Sequence, residues 1–150
     1  MRIYFFKNIM NSNLQFHEIT KGQAVNQVEK FSTKDLDSFI DFSGDSSSIH
    51  ASKYEAESRG FRDRVIHGAM IISKVSKLIG TVLPGNSALL LNINFDFKQP
   101  LYPEELFQIS AKIVEKHSSV NCITIKFEVY LKDNHIKIAK GSALVKIHND

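Results

Sequence analysis

The sequence predicts an α+β domain: a five-stranded antiparallel sheet with one long apolar helix laid on a single face. Three observations predict it. From Gly68 to Leu83 the residues Met70, Ile71, Val75, Leu78, Ile79 and Val82 recur at near-helical spacing, and Ala69, Ile72 and Ser73 widen the stripe, so this helix is buried on most sides. Beyond Ala88 the pattern switches to alternation, with Ile93, Phe95 and Phe97 on one side of one strand and Ile123, Ile125, Phe127, Val129 and Leu131 on one face of another. The breaks between the last strands, Ser118-Ser119 and Asp133-Asn134-His135, are short turns, and short turns require antiparallel neighbours.

The remaining elements fit this frame. Met1 to Asn13 has little pattern, with Ile3 to Phe6 as an added strand at most. Gly22 opens a strand over Ala24 to Phe31, with Val25 and Val28 turned inward. Ser32 or Thr33 is an N-cap residue type, because its hydroxyl accepts from free first-turn amides. The helix it starts runs from Lys34 to Phe42, with Leu36, Phe39 and Ile40 on one face, and Ser43-Gly44-Asp45 stops it. Ser46 to Ser48 reads as loop, and Ser52 to Ser58 as one or two helical turns packed through Tyr54 and Ala56. Pro84-Gly85 ends the long helix. The strands that follow are Ala88–Lys98, Leu106–His117, Val120–Lys132 and Ile136–Ile147. Residues 22–150 are expected to form one domain behind an N-terminal extension, residues 1–21.

The bulk numbers exclude several classes of function. A chain of 150 residues is enough for one domain with a sizeable core. A net charge of +3, with Lys and Arg scattered, gives no basic stripe for nucleic acid. The single cysteine, Cys122, allows no internal disulfide and reads as a small buried hydrophobe. No apolar run approaches a membrane span. Met1 to Met10 has no long apolar core or cleavage site, which argues against a signal peptide and for a cytoplasmic location.

The stretch that carries chemistry runs from Phe42 to Gly68. Asp45 and His50 stand five residues apart across a Ser-rich turn, and a His67-Gly68 pair follows where the long helix begins. A carboxylate beside an imidazole can act as acid and base, or orient one water. Gly68 lies at a helix start, where amides are unpaired and the dipole is positive, so a developing oxyanion can be met there. Each residue also has a plainer reading. Asp45 can be a turn or capping residue, His50 a satisfied core imidazole, and His67 a helix-start residue whose ring bonds a nearby carbonyl. Phe95, Phe97 and Met70 can be core. Ser76 can bond back to a carbonyl one turn earlier. Asp45, His50 and His67 have metal-ligand chemistry, but their spacing matches no common zinc pattern, and no metal is expected.

Ser43-Gly44-Asp45-Ser46-Ser47-Ser48-Ile49-His50, followed by Ile66-His67-Gly68-Ala69-Met70, resembles the hydratase motif of the MaoC-like, (R)-specific enoyl-CoA hydratases. Leu83-Pro84-Gly85 and Phe95-Asp96-Phe97-Lys98-Gln99-Pro100-Leu101 resemble later family segments. The resemblance implies a hot-dog fold, with the long helix wrapped by the sheet. It implies a homodimer joined sheet edge to edge, acting on acyl-CoA or acyl carrier protein thioesters without a cofactor. It implies reversible hydration of the trans-2-enoyl thioester to the (R)-3-hydroxyacyl product. Asp45 and His50 would activate the water, the Gly68 amide would polarise the thioester carbonyl, and Ser76 would line the site. His67 and Ser47 join the substrate-binding set. The family's Asn-Pro is Ser47-Ser48 here, which replaces some hydrogen bonding but not the rigidity of proline. That departure motivates a rival reading as a non-catalytic binding or assembly subunit. Thioesterase, which shares the fold, ranks last.

Overall fold

The computed structural model describes residues 12–148; the strand expected over Ile3 to Phe6 lies outside them. Nine regular elements follow a short 3-10 turn at Phe16–Glu18: β1 (Ala24–Lys30), α1 (Thr33–Ser43), α2 (Ser48–Ala51), α3 (Lys53–Ser58), α4 (Gly68–Thr81), β2 (Ala88–Phe97), β3 (Leu106–His117), β4 (Cys122–Leu131) and β5 (Lys137–Ile147). The five strands form one antiparallel sheet in the order β1-β3-β4-β5-β2. Hairpins pair β3 with β4 and β4 with β5, as their short turns demand. The edge strands β1 and β2 are delivered by longer excursions through the helices.

One core lies between the sheet and α4. Alternation puts Phe107, Ile109, Ala111 and Ile113 of β3 beside Ile123, Ile125, Phe127 and Val129 of β4, all buried. The helix adds Met70, Ile71, Val75, Leu78 and Ile79 to the same cluster. Fully burying each such side chain contributes about 1.5–3 kcal/mol, so α4 is held by packing despite Gly80 within it. Ile19 is fully buried in this core, and Leu14 and Phe16 pack against it. Cys122 is buried and free. No described helix is long and apolar enough to cross a membrane.

Local chemistry sets the boundaries. Ser32 caps α1: its hydroxyl accepts from the Asp35 amide at 3.1 Å, while the Asp35 carboxylate accepts from the Ser32 amide at 2.7 Å. Gly44 ends α1 in the left-handed region, φ 73°, its amide donating to the Ile40 carbonyl. Ser52 caps α3 by accepting from the Glu55 amide at 3.3 Å.

Several expectations need correction. Val28 is 42 % exposed. It lies three residues from Val25, and a period of two cannot bring both to one face. The face that Val25 begins continues through Gln27 and Glu29, and the Glu29 carboxylate accepts from Lys74 at 3.0 Å and Lys77 at 2.8 Å on α4. Tyr54 is 78 % exposed, and Ala56 alone anchors α3 in the core. The segment read as loop through Ser48 turns helical at that residue. Helix α4 stops at Thr81, because the amides of Val82 and Leu83 both converge on the Leu78 carbonyl and turn Leu83 into the core. The hydroxyls that bond back along α4 are Ser73, to the Met70 carbonyl, and Thr81, to the Lys77 carbonyl.

Candidate active site

The turn that Gly44 makes places Asp45 at the mouth of a short loop. Its carboxylate accepts from the Ser47 hydroxyl at 2.6 Å and the Ser47 amide at 3.2 Å. Such a turn, closed by an Asp side chain over its own backbone, fixes the carboxylate without a proline. These two bonds, the hydroxyl's first, hold the Asp45 carboxyl below its ordinary value of 3.8. Asp45 remains ionised and half-exposed.

Helix α2 carries His50, half-buried. Its Nδ1 lies 2.6 Å from the Val65 carbonyl oxygen. A carbonyl only accepts, so Nδ1 carries the hydrogen, and in the neutral ring Nε2 keeps its lone pair. The Val65 amide in turn donates to the Ile49 carbonyl at 2.9 Å, locking α2 to the segment that leads into α4. His67 is the N-cap residue of α4. Its Nε2 is 3.2 Å from the Asp45 backbone oxygen and 3.4 Å from the Asp45 carboxylate. Its ring stacks on His50 at 3.6 Å between centroids. Burial first, and the adjacent His50 second, hold the His67 pKa below its ordinary value.

A cavity of about 340 Å³ opens beside this group. Its wall includes His50, Phe61, Val65, Gly68, Ile71, Phe97, Lys98 and Leu101. One side is therefore the catalytic-type imidazole, another the first turn of α4, and most of the rest is apolar. The room left by the missing side chain of Gly68 is filled by the ring tip of Phe97.

The structure thus brings together Asp45, Ser47, His50, His67 and Gly68. It does not bring Ser76 to them: that residue lies about two turns further along α4, exposed, and is not part of the cavity wall. Sequence reading gave no place to the Val65 carbonyl, since any residue supplies a carbonyl and no side-chain signal marks it. Lys98 and Gln99 at the cavity stood in the sequence only as a strand end, the connector after it and part of a segment resembling the family, with no role of their own. Donor atoms of Asp45, His50 and His67 lie within 4.8 Å of one another. The two rings are only 23° from parallel, so their in-plane lone pairs run side by side rather than converging on an ion. His50 Nδ1 and His67 Nε2 are also taken by carbonyls. The group is better built for moving a proton than for ligating a metal.

Comparison with solved structures gives the fold. The chain superposes on the unliganded R-hydratase PhaJ1 of Pseudomonas aeruginosa with a TM-score of 0.86 at 23 % identity, covering 94 % of this chain and 90 % of that one. It superposes on the (R)-hydratase of Aeromonas caviae with a TM-score of 0.81 at 21 % identity, covering 87 % and 98 %. The architecture is a hot-dog fold. The family model for the MaoC like domain matches residues 16–134, and the chain belongs to that family. Among curated relatives, the (R)-specific enoyl-CoA hydratase of Rhodospirillum rubrum is 30 % identical over 86 residues, 57 % of this chain and 60 % of that protein. The 3-hydroxybutyryl-CoA dehydratase of Methylorubrum extorquens is 26 % identical over 102 residues, 68 % of this chain and 65 % of that protein. The matched region therefore spans a little under two thirds of each of these two relatives.

Proposed function

We propose that the protein is a hydro-lyase that reversibly hydrates trans-2-enoyl thioesters, of CoA or of acyl carrier protein, to (R)-3-hydroxyacyl thioesters. The observation that carries the reading is that donor atoms of an ionised Asp45 and of His50 lie within 4.8 Å of each other, while the His50 ring, with Nε2 bare, lines a cavity together with Gly68 of the first turn of α4. A water held between them loses a proton to His50 Nε2 as its oxygen bonds to C3. The π electrons shift toward C2 and the thioester oxygen, where the first-turn amide of Gly68 meets the charge. The proton held by the pair then passes to C2, so one water supplies both the hydroxyl and the hydrogen. Dehydration runs the same steps backwards.

The names of the relatives support the reaction class and the (R) stereochemistry. The two hydrogen bonds from Ser47 to Asp45 favour a working site over a binding-only subunit, because they supply the fixation that Asn-Pro would otherwise give. A homodimer joined at β2 fits the reading, since that strand lies at a sheet edge and exposes Leu89, Leu91 and Phe97. The test is turnover of crotonyl-CoA, followed by loss of the enoyl thioester absorbance. Asp45→Asn should slow it by about 10²–10⁴-fold. No turnover with any chain length, on CoA or carrier protein, refutes the assignment, and release of free thiol instead points to a thioesterase.

A further inference from the structure

His67 borders the cavity without facing it. Its ring is 4 % exposed, and it is not part of the wall that His50 and Gly68 share. It stands at the N-cap of α4, yet its side chain makes no capping bond to that helix. The ring packs instead against Phe39 of α1 at 4.9 Å and lies on His50 of α2 at 3.6 Å. Its Nε2 reaches the loop between those helices, 3.2 Å from the Asp45 carbonyl oxygen. Nδ1 is buried with no partner. An unpaired buried nitrogen costs free energy that a phenylalanine or leucine here would avoid. The function of the ring must therefore lie with the other nitrogen and with the stack.

We propose that His67 is a positioning residue for the acid/base pair: its Nε2–H holds the Asp45 loop while its ring fixes the plane of the His50 imidazole. This rests on the hydration reading above. It changes the role expected for His67, from touching substrate to holding the two groups that do. A single side chain ties the end of α1, the Asp45 loop, α2 and the start of α4 together. Because the Asp45 carbonyl can only accept, Nε2 must be the protonated nitrogen. The titratable groups that face the ring are Asp45 and His50, and the α1 side contributes the uncharged Phe39. A neutral His67 leaves its stacked neighbour free to take a proton, whereas a charged one would oppose that step.

The test has a part that needs no substitution. Long-range proton–nitrogen correlation spectra of the ¹⁵N-labelled protein at neutral pH report the tautomer of each ring. Hydrogen on Nε2 of His67 and on Nδ1 of His50 is expected. Hydrogen on Nδ1 of His67 overturns the proposal, since that tautomer cannot donate to Asp45. The second part is kinetic. His67→Phe keeps a ring and removes the donor; His67→Gln keeps a donor and removes the ring. Each should lower kcat roughly three- to tenfold, His67→Phe by about what losing one hydrogen bond removes and His67→Gln through loss of the ring that fixes His50, with KM within about twofold because no substrate contact is lost. A kcat within about twofold of wild type in both variants overturns the proposal while leaving the hydratase assignment standing. Absence of wild-type turnover takes down both. Should either variant fail to fold, the wild-type tautomer decides.

Discussion

Gly68→Ala tests how tightly the start of α4 is packed against β2. A Cβ at position 68 would stand 2.7 Å from Cζ of Phe97, 2.9 Å from Cε2 and 3.2 Å from Cε1, against a comfortable carbon separation of about 3.5–4.0 Å. Overpacking of this kind costs about 1–3 kcal/mol. Replacing glycine in a helix returns up to about 1 kcal/mol. Phe97 is 46 % exposed, so its ring can swing aside, and the net loss should fall at the low end, about 0–2 kcal/mol. The ring is the cause, so the effect must depend on it. In a Phe97→Ala background, Gly68→Ala should be neutral or stabilising, giving a coupling of roughly 1 kcal/mol or more between the two sites. Urea unfolding of wild type, both single variants and the double variant measures it. Equal cost of Gly68→Ala in both backgrounds, within about 0.3 kcal/mol, would refute the contact.

Other outcomes follow from the same geometry. Asp45→Asn should lower kcat by about 10²–10⁴-fold, the range for losing an acid/base group, with an unchanged circular dichroism spectrum because the side chain is half-exposed. Ser47→Ala removes the hydroxyl that most depresses the Asp45 carboxyl, so the acid limb of the pH–rate profile should move to higher pH; a shift the other way contradicts the role given to Asp45. Ser32→Ala should cost about 1 kcal/mol in urea unfolding through loss of the α1 cap. His67 has a folded pKa below its ordinary 6.5. Its contribution is therefore full above about pH 6.5 and drains as pH falls toward the folded value, where the unfolded chain takes up a proton that the folded chain refuses. The melting temperature of His67→Phe should consequently decline less between pH 7 and 5 than that of wild type.

What was legible in the sequence was whatever periodicity controls. The buried faces of α4 and β4 could be read because Met70 to Ile79 and Ile123 to Val129 repeat at 3.6 and 2.0 residues. Capping was legible too, since Ser32 and Gly44 act through their own side chain or lack of one. Val28 misled because it is apolar, yet the register sets its face, and Glu29 takes the inward place beside it for the sake of two lysines. The site divided in the same way. Asp45, His50 and Gly68 could be singled out by residue type and spacing. The hold of Val65 on His50 and the stacking of His67 are tertiary events between segments fifteen or more residues apart, and no local pattern encodes them.

The Glu29 clasp also bears on how this molecule meets acid. Burial alone would raise that carboxyl, but the hydrogen bonds from Lys77 and Lys74 outweigh it and keep the group below 4.5. One carboxylate therefore tethers two ammonium groups of a helix to a sheet margin whose own apolar contribution, through Val25, is small. A single proton there unfastens both lysines at once. Strong acid should thus peel β1 from the body in one step, and deuterium uptake along that strand would rise together rather than amide by amide.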